Sequence, residues 1–143
     1  MSLKQIQLEV CKALLNGSRV NGGAVNENEF AVTIDGCKMF VFSNKEIIFD
    51  TSKVTPLNVE KILIENENDV EIVATKNYKE TRGMLCREYQ SQDGKFSVYI
   101  DGRQIKEFTN CLFYGNSPIS RVIAKDHYGR ICGVVMPVKM NEK

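Results

Sequence analysis

Residues 96–114 read Phe-Ser-Val-Tyr-Ile-Asp-Gly-Arg-Gln-Ile-Lys-Glu-Phe-Thr-Asn-Cys-Leu-Phe-Tyr. Apolar side chains alternate at Phe96, Val98 and Ile100, the period of a strand with one buried face. The period then changes. Asp101 is suited to an N-cap, and Ile105 and Phe108 form an i,i+3 apolar pair that leaves Arg103 and Lys106 toward solvent. The spacing predicts a short helix over 101–110. The apolar run at 111–114 returns to strand, and further strands are expected at 119–125 and 131–138, separated by turns at Gly115-Asn116 and Tyr128-Gly129. Strand, helix, three strands is a βαβββ unit.

Toward the N-terminus, Ser2-Leu3-Lys4-Gln5 resembles a capping box. Leu3, Ile6, Val10, Ala13 and Leu14 follow at helical spacing until Asn16-Gly17. This predicts a helix over 2–16. Leu8, Cys11 and Leu15 widen its apolar face, so it needs a second packing surface, supplied by a loop of the same chain or by a partner. Asn21-Gly22-Gly23 reads as a turn. Strands are expected at 30–34, 39–42 and 47–49, then a hairpin of 61–65 with 70–75 around Asn66-Glu67-Asn68, then a strand at 83–89. The expectation is a strand-rich α+β chain, one domain over 1–143, with an N-terminal helix and a C-terminal βαβββ unit.

Residues 30–36 (Phe-Ala-Val-Thr-Ile-Asp-Gly) and 96–102 (Phe-Ser-Val-Tyr-Ile-Asp-Gly) echo one another. A duplication with halves of about 1–66 and 67–143 would produce this, and so would two independent strands ending in Asp-Gly turns.

Composition narrows the function classes. The 143 residues suffice for one core, and 43% hydrophobic with 26% charged residues are globular values. Nineteen basic against eighteen acidic residues give a net charge of +1, which selects no nucleic acid, membrane or acidic partner. Cys11, Cys37, Cys86, Cys111 and Cys132 are scattered without metal-ligand spacing and read as reduced thiols of a cytoplasmic protein. No apolar run approaches a membrane span, and Met1-Ser2-Leu3-Lys4 lacks a signal peptide's apolar core.

Chemistry is sparse. His127 reads either as a general base or as a residue of the turn Asp126-His127-Tyr128-Gly129, and Cys132 lies in an apolar strand where a thiol packs rather than reacts. The Asp-Gly pairs and the acidic stretch 65–71 do not make a calcium loop, and 17–23 is not a phosphate loop. Lys76, Tyr78, Lys79, Arg82, Arg87 and Tyr89 interleave cations with aromatics, a pattern for phosphates and bases or for an ordinary solvated face. No catalytic residue, cofactor or metal ligand is expected.

Three stretches carry a resemblance: 61–65 with 70–75 (Lys-Ile-Leu-Ile-Glu and Val-Glu-Ile-Val-Ala-Thr), the strand and helix of 96–110, and Gly133-Val134-Val135-Met136-Pro137-Val138-Lys139-Met140. In this order they resemble a domain of bacterial DNA polymerase sliding clamps, over about residues 58–140. The resemblance implies a DNA-clamp-like fold and a non-enzymatic protein acting in DNA replication. Its helices would face DNA through Lys4, Lys12, Arg103 and Lys106, with contacts to phosphates rather than bases. Thr75, Met136, Pro137, Val138 and Met140 would line a groove for short DNA-polymerase-type peptides, methionine being suited to an adaptable pocket. Alternatively, Val134, Val135 and Val138 are core and Met136-Pro137 closes an edge strand. One-domain copies would have to assemble into a ring, a homo-oligomer of about six, with DNA and polymerase peptides as partners. Two other readings stand beside it: a small protein–protein interaction module of a mobile element without DNA binding, and an enzyme with a polar pocket at His127 or a carboxylate pair. No membrane or small-molecule substrate is expected.

Overall fold

The computed structural model describes residues 3–140. The chain is an α+β protein that divides into two compact units, one up to Ile64 and one from Glu65 onward.

The first unit begins with α1 (Leu3–Leu15), followed by β1 (Asn21–Ala24), β2 (Glu29–Thr33), β3 (Lys38–Ser43), β4 (Thr55–Pro56) and α2 (Val59–Leu63). β1, β2 and β3 form an antiparallel meander, and β4 adds to β1 in parallel. Ile6 and Val10 of α1 are buried, as are Ala31 and Val32 of β2 and Met39 to Phe42 of β3. Consecutive buried residues mean that β2 and β3 are covered on both faces, so the alternation of a half-exposed strand is lost. Phe49 packs edge-on to Phe42 with ring centroids 6.0 Å apart. The α1 side chain Gln7 holds the loop that carries Phe49: its amide donates to the Glu46 carbonyl at 2.8 Å and accepts from the Ile48 N–H at 2.7 Å. That loop and its pocket against Cys11, Leu14 and Leu15 supply part of the second surface α1 needs, while Leu8 and Leu15 stay exposed.

The second unit contains β5 (Val70–Thr81), β6 (Met84–Ser91), β7 (Ser97–Asp101), α3 (Gly102–Ile105), β8 (Leu112–Gly115), β9 (Val122–Lys125) and β10 (Ile131–Val135). Its strands are antiparallel neighbours in the order β10-β9-β8-β5-β6-β7. The βαβββ unit is therefore present as β7-α3-β8-β9-β10. Val98 and Ile100, Phe108, Val122 to Ala124, and Val134 with Val135 are among its buried residues, joined by Ile72 and Cys86, and Tyr89 meets Phe113 edge-on at 5.7 Å.

Four expectations are corrected. Residues 61–65 are not a strand. Val59, Ile62 and Leu63 fit i, i+3, i+4, while the continuous apolar run Ile62-Leu63-Ile64 also fits a buried strand, and α2 buries Val59 and Leu63 on one face. The expected hairpin is consequently a helix, a turn and a strand, with Asp69 accepting from the Asn66 N–H at 2.7 Å. Residues 47–49 are not a strand either: a single-turn 3-10 helix, Asn44–Glu46, precedes them, and the Gln7 tether fixes the chain there. Residues 21–23 are strand β1 rather than a turn. Their glycines answer a packing demand, since a Cβ on Gly22 would lie 2.3 Å from the Ala31 carbonyl and one on Gly23 2.6 Å from that of Leu57. Finally, the helix expected over 101–110 is a single turn. Asp101 does cap it, accepting from the Arg103 N–H at 3.0 Å, but Asn110 has a φ of 60° and the chain has left the helix by Lys106.

The echoed stretches occupy different places. Residues 30–36 form the middle strand of the meander after α1, whereas 96–102 form the strand before α3.

Candidate peptide groove

The residues that converge in the second unit come from β6, β7, the β8–β9 loop and the chain after β10. Beyond Val135 the backbone leaves the ladder, and Pro137 has no N–H with which to continue it. One residue later the Val138 N–H donates to the Tyr99 carbonyl at 2.8 Å, which holds the segment against β7. The Ser117 hydroxyl shapes the opposite wall by accepting from the N–H groups of Ile119 and Ser120. The turn it closes presents Pro118 and a 62% exposed Ile119. Between these walls lies a groove of about 510 Å³ whose apolar lining is Phe96, Pro118, Ile119, Val138 and Met140.

The polar groups of the groove differ in availability. Glu88 accepts from the Thr75 hydroxyl at 2.8 Å, the Asn77 amide at 3.0 Å and the Tyr99 hydroxyl at 3.2 Å. The Thr75 and Asn77 bonds hold its carboxyl below the ordinary carboxylate range. Burial, and then the Glu88 charge, push the Tyr99 phenol up. Glu88 is thus ionised and already engaged, whereas Lys95 and Lys139 are exposed at the groove's border. The Lys79 ammonium lies 6.0 Å from the Tyr99 ring centre. The groove is apolar with a cationic rim.

No family model, curated protein or solved structure matches the chain.

Of the groove candidates read from the sequence, Val138 and Met140 line it, and Thr75 reaches it through Glu88. Met136 is exposed immediately after β10, and neither it nor Pro137 is among the lining residues. Val134 and Val135 are core. Sequence reasoning missed Phe96, Lys95, Pro118 and Ile119. Ile119 was placed in a strand that begins only at Val122. The Ser117-Pro118 pair beside it was the available turn signal.

The DNA candidates fall in two places. Lys4 and Lys12 are exposed on α1, Lys12 lying 3.6 Å from Glu9. In α3, Arg103 donates to the buried Asp101 carboxylate at 2.7 Å, while Lys106 is exposed.

His127 lies in an exposed turn whose N–H groups at Tyr128 and Arg130 bond Asp126. The Cys111 and Cys132 thiols neighbour one another. Burial, with Cys132 adding to it, pushes Cys111 up to about 12, and burial raises Cys132 as well, so both are protonated and poorly nucleophilic at neutral pH. Among the described residues there is no group of three or more His, Cys, Asp or Glu side chains able to hold a metal ion, and no helix is long and apolar enough to cross a membrane.

Proposed function

We propose that this chain is a non-enzymatic, sliding-clamp-like binding protein whose groove beside β7 takes a short extended peptide of a partner protein. The observation that carries the reading is the groove itself. Its apolar lining, from Phe96, Pro118, Ile119, Val138 and Met140, is open and bordered by Lys95 and Lys139. Its one carboxylate is occupied by internal donors. Such a site selects apolar side chains for affinity and an acidic residue at the lysine rim for orientation. The resemblance of residues 133–140 to the clamp ending agrees with this, since Val138 and Met140 belong to both. Contact with DNA through the helices has less support, because Arg103 is committed to Asp101 and Lys12 has Glu9 beside it.

Fluorescence anisotropy with a labelled polymerase-type peptide, apolar apart from one carboxylate, tests the proposal. Ile119→Asp and Met140→Asp are expected to weaken binding about tenfold or more each, the loss of one anchor in an apolar pocket. Ile119 is exposed, so its variant should melt with the wild type. Absence of binding, or binding indifferent to both changes, overturns the reading.

A further inference from the structure

The β5–β6 hairpin runs on past the strands that anchor it. β5 pairs with β8 only at residues 70–72, and β6 pairs with β7 only at residues 86–90. Beyond Cys86 the two strands have only each other, at the Glu80–Leu85 and Thr81–Met84 pairs that lead into the Arg82-Gly83 turn. Two residues of strand give a free tip of about 7 Å, with Tyr78 and Arg87 at its base.

The side chains of this arm are unlike an ordinary solvated face. Lys76, Lys79, Arg82 and Arg87 stand against two carboxylates, Glu80 and the Glu88 already bonded by Thr75 and Asn77, and among the described residues none of the four cations is in an ion pair. Arg87 is held in place, its Nε donating to the Thr75 carbonyl at 3.0 Å and its guanidinium lying 5.4 Å from the centre of the Tyr78 ring. Tyr78 is 56% exposed, so the ring face away from Arg87 is open. At the tip, Arg82 adopts a φ of 51° beside Gly83 at 78°. A two-residue turn of this kind favours asparagine or glycine in its first place. Arginine there is a poorer folding choice that sets a cation at the end of the arm.

The geometry points to the β5–β6 arm as a nucleic-acid-binding ribbon that holds a single strand, with Lys76, Arg82 and Arg87 on phosphates and a base stacked on Tyr78. Cations free of carboxylates track a phosphate backbone, and an open aromatic face takes an unstacked base, which a duplex does not offer. The binding is independent of the peptide groove and of sequence.

The test uses the full chain and a fluorescein-labelled oligothymidylate of about 20 nucleotides, with an oligouridylate and a duplex of the same length, between about 50 and 200 mM salt. Three phosphate contacts correspond to a log–log salt slope of about −2.1 on a single strand. Lys76→Ala combined with Arg82→Gly should cut that slope to about a third and weaken binding about tenfold or more, while thermal melting shows the fold intact, glycine being the better residue at this φ. Tyr78→Leu should weaken binding without changing the slope. The inference is overturned if the oligonucleotide does not bind, if the arm variants bind as the wild type while Lys4→Ala with Lys12→Ala removes binding, or if polyglutamate displaces the strand at equal charge. A preference for duplex unaffected by Tyr78→Leu overturns the single-strand assignment, since a ribbon also fits a major groove.

Discussion

At the scale of single residues, Asp69 shows how a charge is kept inside the second unit. Burial alone would raise its carboxyl, but Arg121 bonds it with two nitrogens at 2.9 Å, and the Asn66 N–H and the Asn116 amide add two more donors. The balance holds the carboxyl below its ordinary value. A folded-state pKa below the unfolded one contributes stability above the unfolded value, and that stability is lost as pH falls through the folded one. Asp69→Asn, which removes the carboxylate charge facing the half-buried Arg121, is expected to cost about 3 kcal/mol at neutral pH and to flatten the acid side of the stability curve. Urea melts at neutral and acid pH check this, and equal acid slopes in the two proteins would remove the argument. Gly22 poses the opposite problem. Its backbone conformation is ordinary, yet a Cβ would meet the Ala31 carbonyl at 2.3 Å. Gly22→Ala is expected to cost more than about 3 kcal/mol, since β1 must move away from β2, and a circular-dichroism melt close to wild type would contradict it.

At the scale of elements, α1 was the most legible because its periodicity, stop signal and buried face agree. Val10 is 0% and Leu15 83% exposed, so Val10→Ala should cost about 2 kcal/mol and Leu15→Ala under about 0.5 in the same denaturant melts. The β7-α3-β8-β9-β10 order was legible too, because each change of apolar period coincided with a cap or turn residue. Errors arose where one pattern fitted two structures. The apolar run 62–64 suits a buried strand as well as a helix, and only the burial of Val59 and Leu63 on one helical face separates them. β1 was hidden because Asn21, Gly22 and Gly23 have turn composition, while the reason for glycine is a neighbouring strand and a loop that sequence does not display. The groove was half legible for a related reason. Val138 and Met140 announce themselves in one terminal stretch, but Phe96 and Ile119 join them only through the antiparallel order of the second unit.

At the scale of the whole molecule, ring formation by strand pairing through β4 or β7 meets two obstacles. β4 is two residues long and contains Pro56, which lacks a ladder donor. β7 accepts the Val138 N–H at Tyr99, and the preceding Pro137 keeps that segment from presenting a full ladder of its own. A head-to-tail ring needs two complementary faces that close, and edges blunted by proline supply poor ones. The expected solution mass is therefore that of one chain, 16.2 kDa, by light-scattering chromatography at both low and high salt. A monomer makes the groove and the β5–β6 arm the means by which this protein meets its partners, each testable without assembly. A discrete species near six copies would instead mean that faces other than these edges associate. It would make encirclement of DNA the working explanation and turn attention from the arm to Lys4, Lys12 and Lys106, whose exposed charges would then line the ring.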